Sequence, residues 1–194
     1  MLLIMHNLAI FASGSGTNAE RIVRYFKDNH RVRVRLIASN RPDACVLQRA
    51  EKLNIPSFTF TREEFYRTDK VLQRMKDEEI SWIILAGFLW KVPDNLVQAY
   101  SRRMINIHPA LLPAYGGKGM YGESVHRAVL AAGEKESGIT IHYVNEHYDE
   151  GECLFQARCP VYSGDTVETL AARIHTLEYT HFPVVIEGLL SGEE

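Results

Sequence analysis

Apolar residues in the first hundred positions fall into two alternating patterns. Short, nearly continuous apolar runs predict buried strands, and longer segments with apolar residues at helical spacing predict helices. In chain order the predicted elements are strand Leu8–Ala12, helix Ala19–Phe26, strand Val32–Ala38, helix Asp43–Leu53, strand Ser57–Phe60, helix Glu63–Glu79, strand Trp82–Ala86, helix Asp94–Tyr100 and strand Met104–Ile107. Strands that alternate with helices at this spacing are typical of βαβ units, so we expect a parallel sheet with right-handed crossovers.

The pattern changes after Pro109. Residues 113–122 contain one proline and four glycines and predict a loop. A short helix, two strands and a final helix are predicted next, at Val125–Ala132, Gly138–Val144, Leu154–Val161 and from Asp165 onward. The final helix is expected to begin with a capping box of Asp165 and Glu168 and to carry on its apolar face Val167, Leu170, Ala171, Ile174 and Leu177.

No internal repeat or linker divides the chain. We therefore predict a single α/β domain over residues 1–194. The predicted architecture is a Rossmann-like three-layer sandwich, with a mostly parallel sheet and antiparallel strands near the C-terminus.

The composition is that of an ordinary soluble globular protein, with 46% hydrophobic and 24% charged residues in 194. The formal net charge of -2 argues against a nucleic-acid partner held by bulk electrostatics. No apolar run approaches the ~20 residues that span a bilayer, and Met1–Met5 is not interpreted as a targeting segment. Three cysteines without a CxxC pair predict reduced thiols, so we expect a cytoplasmic protein.

A glycine-rich segment joins the first predicted strand to the first predicted helix. Gly14 and Gly16 let the backbone approach an anion, and the helix supplies unpaired amide groups at its N-terminus. Thr17 and Asn18 add side-chain donors, so the segment predicts a phosphate site. The alternative is a glycine turn capped by one of the two serines in the segment.

The same glycines fit the G-x-G-x-x-A fingerprint of dinucleotide-binding proteins. That fingerprint expects an acidic residue after the second strand, where this chain has Ser39-Asn40-Arg41. NAD is therefore disfavoured, whereas Arg41 leaves a phosphorylated NADP ribose open. An NADP-dependent oxidoreductase is accordingly one alternative function.

Asn106 and His108 are two residues apart at the end of a predicted strand, so their side chains point to the same face. Open α/β sheets bind ligands at the carboxyl ends of their strands. Asn106 offers an amide donor to a developing oxyanion, and His108 can donate or accept a proton near neutral pH. Asp149 would raise the pKa of His108 and orient its ring. A structural polar cluster is the alternative.

The stretch around Asp149 is acidic and contains a histidine, which raises the question of a metal. The HExxH motif is absent, and no second pair of ligands has helix or finger spacing, so we expect no metal site. Glu146, Glu150 and Glu152 are interpreted as a solvated acidic loop.

Two more side chains are candidates with open alternatives. Glu178 follows Ile174 by four residues on the buried face of the last helix, where a carboxylate needs a partner. The partner is either a bound ligand or one of Arg173 and His181. His126 faces either the pocket or the solvent, and the remaining histidines are interpreted as surface residues.

Four motifs together resemble the phosphoribosylglycinamide formyltransferases of purine biosynthesis. They are Gly14-Ser15-Gly16-Thr17-Asn18, Leu85-Ala86-Gly87-Phe88, Asn106-Ile107-His108-Pro109-Ala110-Leu111-Leu112-Pro113 and Asp149-Glu150-Gly151. Their order and spacing cover nearly the whole chain. The Asn-x-His-Pro-x-Leu-Leu-Pro string is specific to folate-dependent formyl transfer as a group, and the glycine loop points to the glycinamide ribonucleotide member.

The resemblance implies the formyltransferase fold and a reaction. The formyl group of 10-formyltetrahydrofolate, the co-substrate, would pass to the amine of 5'-phosphoribosylglycinamide without a metal. The substrate phosphate would sit on Gly16–Asn18. Asn106 and His108 would stabilise the tetrahedral intermediate, while Asp149 would keep His108 protonated and help to remove the amine's proton.

The same resemblance implies further contacts and partners. Glu178 would meet the glycinamide portion of the substrate. The pterin would lie near Asn106, the loop from His142 to Asp149, and Leu89, Trp90, Lys91 and Val92. Only small molecules are expected as substrates, and the chain is expected to be a monomer or a weak homodimer.

The chain also departs from the family pattern. Many members have Met-Arg where this chain has Leu89-Trp90, and some have a histidine where it has Ser124. Ala110 replaces a common serine, and residues 116–124 are richer in glycine than in some members. The rival functions are the NADP-dependent oxidoreductase, a formyltetrahydrofolate deformylase-like hydrolase and a non-catalytic phosphosugar or folate binder.

Overall fold

The computed structural model describes residues 5–192, so most of the Met1–Met5 segment considered above lies outside the described residues. The chain forms two compact units, Met1–Ile105 and Asn106–Glu194. The elements are, in chain order, β1 (His6–Phe11), α1 (Thr17–Tyr25), β2 (Val32–Ser39), α2 (Cys45–Lys52), β3 (Ser57–Thr59), α3 (Arg62–Tyr66), α4 (Lys70–Asp77), β4 (Trp82–Leu85), α5 (Asp94–Ala99), β5 (Met104–His108), α6 (Glu123–Ala131), β6 (Glu136–Tyr143), β7 (Cys153–Pro160) and α7 (Val167–Ser191).

Within the described residues the strands form a seven-stranded sheet in the order β3-β2-β1-β4-β5-β6-β7. β1 pairs in parallel with β2 and β4, and β2 pairs in parallel with β3, whereas β6 and β7 are antiparallel. The predicted α/β class, with a mostly parallel sheet and antiparallel strands near the C-terminus, is confirmed. The strand order reverses its direction between β1 and β4, which is where sheets of this Rossmann-like kind form a ligand crevice.

The first unit builds its core around β1 and β4. Leu8 to Phe11 and all four residues of β4 are buried, as expected for parallel strands covered on both faces. α1 turns Ala19 and Ile22 into this core. The rigid strands thus end in the two loops that carry Gly14 to Asn18 and Gly87 to Val92.

The single helix predicted over Glu63–Glu79 is wrong, because the segment contains two helices, α3 and α4. Thr61 and Glu64 form a capping box that starts α3. The Thr68 hydroxyl donates to the Glu64 carbonyl at 2.9 Å and accepts from the Lys70 amide at 3.2 Å. Thr68 therefore lies where one helix ends and the next begins. Its hydroxyl competes with the helical backbone for hydrogen bonds, as threonine side chains are able to do.

The predicted cap of the final helix is displaced by one residue. Thr166 and Thr169 form the capping box of α7, and the predicted cap residue Asp165 instead accepts two hydrogen bonds from Arg173. The buried stripe of α7 includes Leu170, Ile174 and Glu178, four residues apart, which places Glu178 on the predicted face. None of the described helices is long and apolar enough to cross a membrane.

Candidate active site

Three of the predicted catalytic side chains meet in the second unit. His108 Nδ1 lies 3.5 Å from Asp149 Oδ2, and Asn106 Nδ2 lies 3.5 Å from Asp149 Oδ1. Asn106 and His108 project from the carboxyl end of β5, and Asp149 is part of the connection between β6 and β7. The side chain of Asp149 is only 12% exposed and that of His108 only 4%. The structure therefore brings an amide donor, an imidazole and a carboxylate together in a largely dry setting.

Backbone groups from the 113–122 loop complete the hydrogen bonds of this trio. His108 Nε2 lies 2.8 Å from the carbonyl oxygen of Tyr115, so Nε2 carries a proton and donates it. The Gly117 amide donates to Asp149 Oδ2 at 2.9 Å. With Nε2 protonated, Nδ1 is the ring atom that faces the carboxylate, and it is the atom free to gain or lose a proton.

His142 also belongs to the cluster, although the sequence interpretation placed it among the surface histidines. It is buried, its Nδ1 donates to its neighbour's carbonyl at 2.8 Å, and its Nε2 lies 3.1 Å from Asn106 Nδ2. Nε2 accepts from the amide of Asn106 when His142 is neutral, and it also lies 3.6 Å from Asp149 Oδ1, to which it can donate when His142 is protonated. The available signal was the alternation in β6, where Thr140 and His142 share one face and Ile139 and Ile141 the other.

Thr140 supports the same segment from the next position on that face of β6. Its hydroxyl donates to the Ala110 carbonyl at 2.7 Å and accepts from the Leu112 amide at 2.9 Å. These bonds hold the chain as it leaves β5 directly after His108. The buried Thr140 hydroxyl thus holds in place the backbone that follows the Asn-x-His-Pro motif.

The electrostatics of the trio differ from the sequence prediction in one respect. Burial lowers the pKa of His108, and the Asp149 charge and the Tyr115 carbonyl offset only part of that decrease. Burial pushes the pKa of Asp149 upward, but His142, His108 and the Gly117 amide outweigh it, and the net direction is downward. Asp149 thus raises the pKa of His108 as predicted, but the net direction is downward, because one carboxylate does not compensate for the loss of water around a buried imidazole.

Glu178 is buried on α7, and one of its partners is His175, which is not among the two that the sequence suggested. His175 Nδ1 lies 2.9 Å from Glu178 Oε2, and Glu178 is the main reason why the pKa of His175 is raised. Arg173 is bound to Asp165, and His181 packs against Phe155 at a ring distance of 4.8 Å. The i,i+3 spacing of His175 and Glu178 on a helix was the signal for this pair.

His126 is buried in α6 rather than turned to the solvent. Burial lowers its pKa, and His175, Glu178 and His108 all act on it electrostatically. Its Nδ1 has no hydrogen-bond partner within the described part of the chain. His126 thus belongs to the titratable groups around Glu178.

The glycine loop lies in the first unit, at the end of β1. Gly16 has the left-handed φ of 72° and immediately precedes α1, and as a glycine it offers that helix no side-chain cap. Ser13, one of the two serines of this segment, donates to Asn40 at 2.6 Å. A helix that starts at a left-handed glycine favours the phosphate interpretation over a turn capped by Ser13, because helix N-termini attract anions.

Neighbouring segments fix the path of this loop. The Val46 amide donates to the Gly14 carbonyl at 3.1 Å, and Arg49 Nε donates to the Ser15 carbonyl at 2.8 Å. The residues predicted to contact folate follow β4 in the same unit, and the Leu89 amide donates to Ser13 Oγ at 2.9 Å. The first unit thus brings the predicted phosphate loop and the segment from Leu89 to Val92 together.

The segment from Leu89 to Val92 contains both exposed and buried side chains. Leu89 is exposed and Val92 is buried. Trp90 packs against Phe60, Phe65 and Tyr66, and the guanidinium of Arg62 lies 5.7 Å from its ring. A cavity of about 540 Å³ lies beside this segment, lined by Tyr66, Arg67, Thr68, Asp69, Lys91, Val92, Pro93, Asp94 and Asn95.

The geometry bears on two alternatives to this site. Arg41, on which an NADP site depended, forms a salt bridge with Asp43 at 2.9 Å. Across residues 5–192 no three His, Cys, Asp or Glu side chains are grouped so that they could hold a metal ion.

Comparison with known proteins agrees with this architecture. A sequence model of the formyl transferase family matches residues 6–186. The chain therefore belongs to the formyl transferase family. A phosphoribosylglycinamide formyltransferase from Bacillus subtilis is 38% identical over 96% of this chain and 95% of its own length. A chloroplastic phosphoribosylglycinamide formyltransferase from Vigna unguiculata is also 38% identical, over 94% of this chain and 60% of its own length.

The solved structures give the same result. The crystal structure of glycinamide ribonucleotide transformylase 1 from Geobacillus kaustophilus has a TM-score of 0.87 and 38% sequence identity, and the match covers 96% of this chain and 99% of that one. The predicted resemblance to the phosphoribosylglycinamide formyltransferases is confirmed, and so is the formyltransferase fold.

Proposed function

We propose that this enzyme transfers the formyl group of 10-formyltetrahydrofolate to the amine of 5'-phosphoribosylglycinamide in purine biosynthesis. The products are formylglycinamide ribonucleotide and tetrahydrofolate. The observation that carries the proposal is the contact of Asn106, His108 and Asp149 at the end of β5, in a chain of this family.

The trio supplies the groups that such a transfer requires. Asn106 and His108 stabilise the negative charge that forms on the formyl oxygen as the amine nitrogen bonds to the formyl carbon. His108, whose pKa burial lowers, receives the proton that the attacking amine loses, directly or through water. Asp149 stabilises the resulting imidazolium. The same proton passes to the folate nitrogen N10 as its bond to the formyl carbon breaks.

The substrate phosphate is assigned to Gly16, Thr17 and Asn18. The N-terminus of α1 and the left-handed Gly16 at its cap support this assignment, because helix N-termini and close backbone amides favour anions. Glu178 is assigned to the glycinamide portion. Its burial and the nearby His175 keep its carboxylate in one place.

The folate is assigned to Leu89, Trp90, Lys91 and Val92, with Asn106 at its reacting end. The exposed Leu89 and the ring of Trp90 fit a flat aromatic ligand, and Lys91 offers a positive charge to a carboxylate tail. The Tyr66 hydroxyl donates to the Lys91 carbonyl at 2.8 Å, and the Leu89 amide donates to Ser13 Oγ, so both contacts hold the backbone of this segment in place. A single domain over residues 1–194, a cytoplasmic location and a monomer or weak homodimer belong to the same proposal.

A spectrophotometric assay tests the reaction. Loss of 10-formyltetrahydrofolate is followed with and without 5'-phosphoribosylglycinamide, for the wild type, His108→Ala and the control His30→Ala, which removes an exposed imidazole. We expect loss that requires the amine, disappears in His108→Ala and persists in His30→Ala. Loss without the amine would indicate a deformylase instead. Folate binding without any loss would indicate a non-catalytic binder.

A further inference from the structure

The 113–122 loop reaches both ionisable members of the trio through its backbone. The Tyr115 carbonyl accepts from His108 Nε2 at 2.8 Å, and two residues later the Gly117 amide donates to Asp149 Oδ2 at 2.9 Å. The loop is glycine-rich and contains no helix or strand. Something must therefore hold its backbone in place if these two contacts are to persist.

Tyr115 has a backbone conformation that its own side chain does not favour. Its φ of 57° lies in the left-handed region, which is unfavourable for a residue with a Cβ atom. Such conformations persist where surrounding contacts over-determine them, and they are common at functional sites. The contact available here is the Tyr115 hydroxyl, which donates to Glu134 Oε1 at 2.7 Å.

Glu134 lies in the short connection between α6 and β6. Its carboxylate raises the pKa of the Tyr115 hydroxyl, which is the donor of the hydrogen bond. The Tyr115 side chain is half-buried, whereas Glu134 is exposed. Tyr115 is thus tied to the second unit by its side chain while its carbonyl faces His108.

We propose that Tyr115, anchored by Glu134, is a positioning residue for His108. The anchor keeps Tyr115 in the left-handed conformation that directs its carbonyl to Nε2. That hydrogen bond fixes the His108 ring with its proton on Nε2 and with Nδ1 facing Asp149. The proposal rests on the role of His108 in the proposed function, and it assigns a task to a tyrosine and a glutamate outside the trio.

The consequence for His108 follows from the groups around it. Asp149 acts on it from the β6–β7 connection, His142 from β6 and Glu178 from α7, and these three remain when the anchor is lost. Loss of the anchor would loosen the contact of the Gly117 amide with Asp149 and would also move the Tyr115 carbonyl. Its departure frees the ring to adopt the other tautomer and removes an acceptor that favours the charged form.

Three variants separate positioning from simple loop stability. Tyr115→Phe removes the hydroxyl, Glu134→Ala removes its acceptor, and Glu134→Gln keeps a carbonyl that can accept the same hydrogen bond. Tyr162→Phe is the matched control, since it removes a hydroxyl from a tyrosine that is 59% exposed on the β7–α7 connection. Each protein is examined by NMR for the tautomer and pKa of His108, and by formyl-transfer kinetics.

We expect Tyr115→Phe and Glu134→Ala to lower kcat by about two- to tenfold, the range set by one neutral hydrogen bond. KM should change little, and the His108 pKa should fall below its wild-type value with a loss of the pure Nε2–H tautomer. Glu134→Gln and Tyr162→Phe should resemble the wild type.

Two results would overturn the proposal. One is an unchanged His108 tautomer and pKa in Tyr115→Phe. The other is a lower melting temperature in Tyr115→Phe without any change in kcat, which would show a structural role alone. If the wild type shows no formyl transfer, the proposed function fails instead, and the NMR measurement still decides whether the anchor positions the imidazole.

Discussion

Gly16→Ala should be strongly destabilising, for two separable reasons. Gly16 has a φ of +72°, which an alanine rarely adopts, and a Cβ atom added there would lie 2.3 Å from Val46 Cγ2. The same Cβ would lie 2.8 Å from the Val46 Cα, which belongs to the backbone of α2. A rotation of the Val46 side chain therefore cannot relieve the clash, and α2 must move.

The magnitude follows by adding the two contributions. The left-handed conformation costs alanine about 1–2 kcal/mol. Forcing an additional carbon into a packed contact costs about 1–3 kcal/mol. We therefore expect the free energy of unfolding to fall by about 2–5 kcal/mol, the sum of these two ranges.

Two other glycines of the same unit provide matched controls. Gly87 has a φ of +74° but no atom within 4 Å of the added Cβ, so Gly87→Ala reports the conformational cost alone. Gly14 has neither a left-handed φ nor a close atom, so Gly14→Ala should be neutral or stabilising by up to about 1 kcal/mol. Urea denaturation of the three variants measures each change in the free energy of unfolding.

The order of stability of the three variants tests this reasoning. If Gly16→Ala is no less stable than Gly87→Ala, then α2 moves without cost and the reasoning from close packing is wrong. The double variant Gly16→Ala/Val46→Ala gives a second check. It should restore only part of the free energy of unfolding that the clash removes, because the Val46 Cα remains in place.

Three further variants test the site. Asp149→Asn should lower the His108 pKa further, which NMR titration would show, and reduce kcat more than substrate affinity. Thr17→Ala should weaken substrate binding by about 1 kcal/mol in calorimetry, and unchanged affinity would place the phosphate elsewhere. His175→Asn should destabilise the protein most below the ordinary histidine pKa of about 6.5. The loss should shrink as pH rises through the pKa of folded His175, because Glu178 raises that pKa. Urea midpoints across this pH range measure the loss, and a loss that does not change with pH would contradict the prediction.

Much of the fold was predictable because burial imposes a period on the chain. The strands and helices of the first unit follow from apolar runs and helical spacing, since the central strands β1 and β4 are covered on both faces. The failures occurred where a side chain competed with the backbone. Thr68 splits a helix that has good periodicity on both sides, and Thr166 displaces Asp165 as the cap because Asp165 is bound to Arg173.

The site was predictable to the extent that its residues are close in sequence or lie on one face of an element. Asn106 and His108 are two apart on a strand, and Glu178 continues the buried stripe of a helix. His142 was missed, because its contact with Asn106 joins residues 36 positions apart. The backbone contacts of Tyr115 and Gly117 have no side-chain signature at all.

The direction of the His108 pKa changes what Asp149 can be expected to do. A carboxylate beside a solvated imidazole would hold a permanent cation, but around this imidazole burial is the larger effect. Without Asp149 the pKa would fall further, and His108 would be a weaker acceptor for the proton of the amine. With Asp149 the decrease in the pKa is smaller, which makes the imidazole a better group for accepting and returning a proton. The role of the carboxylate is therefore to offset part of the effect of burial on His108.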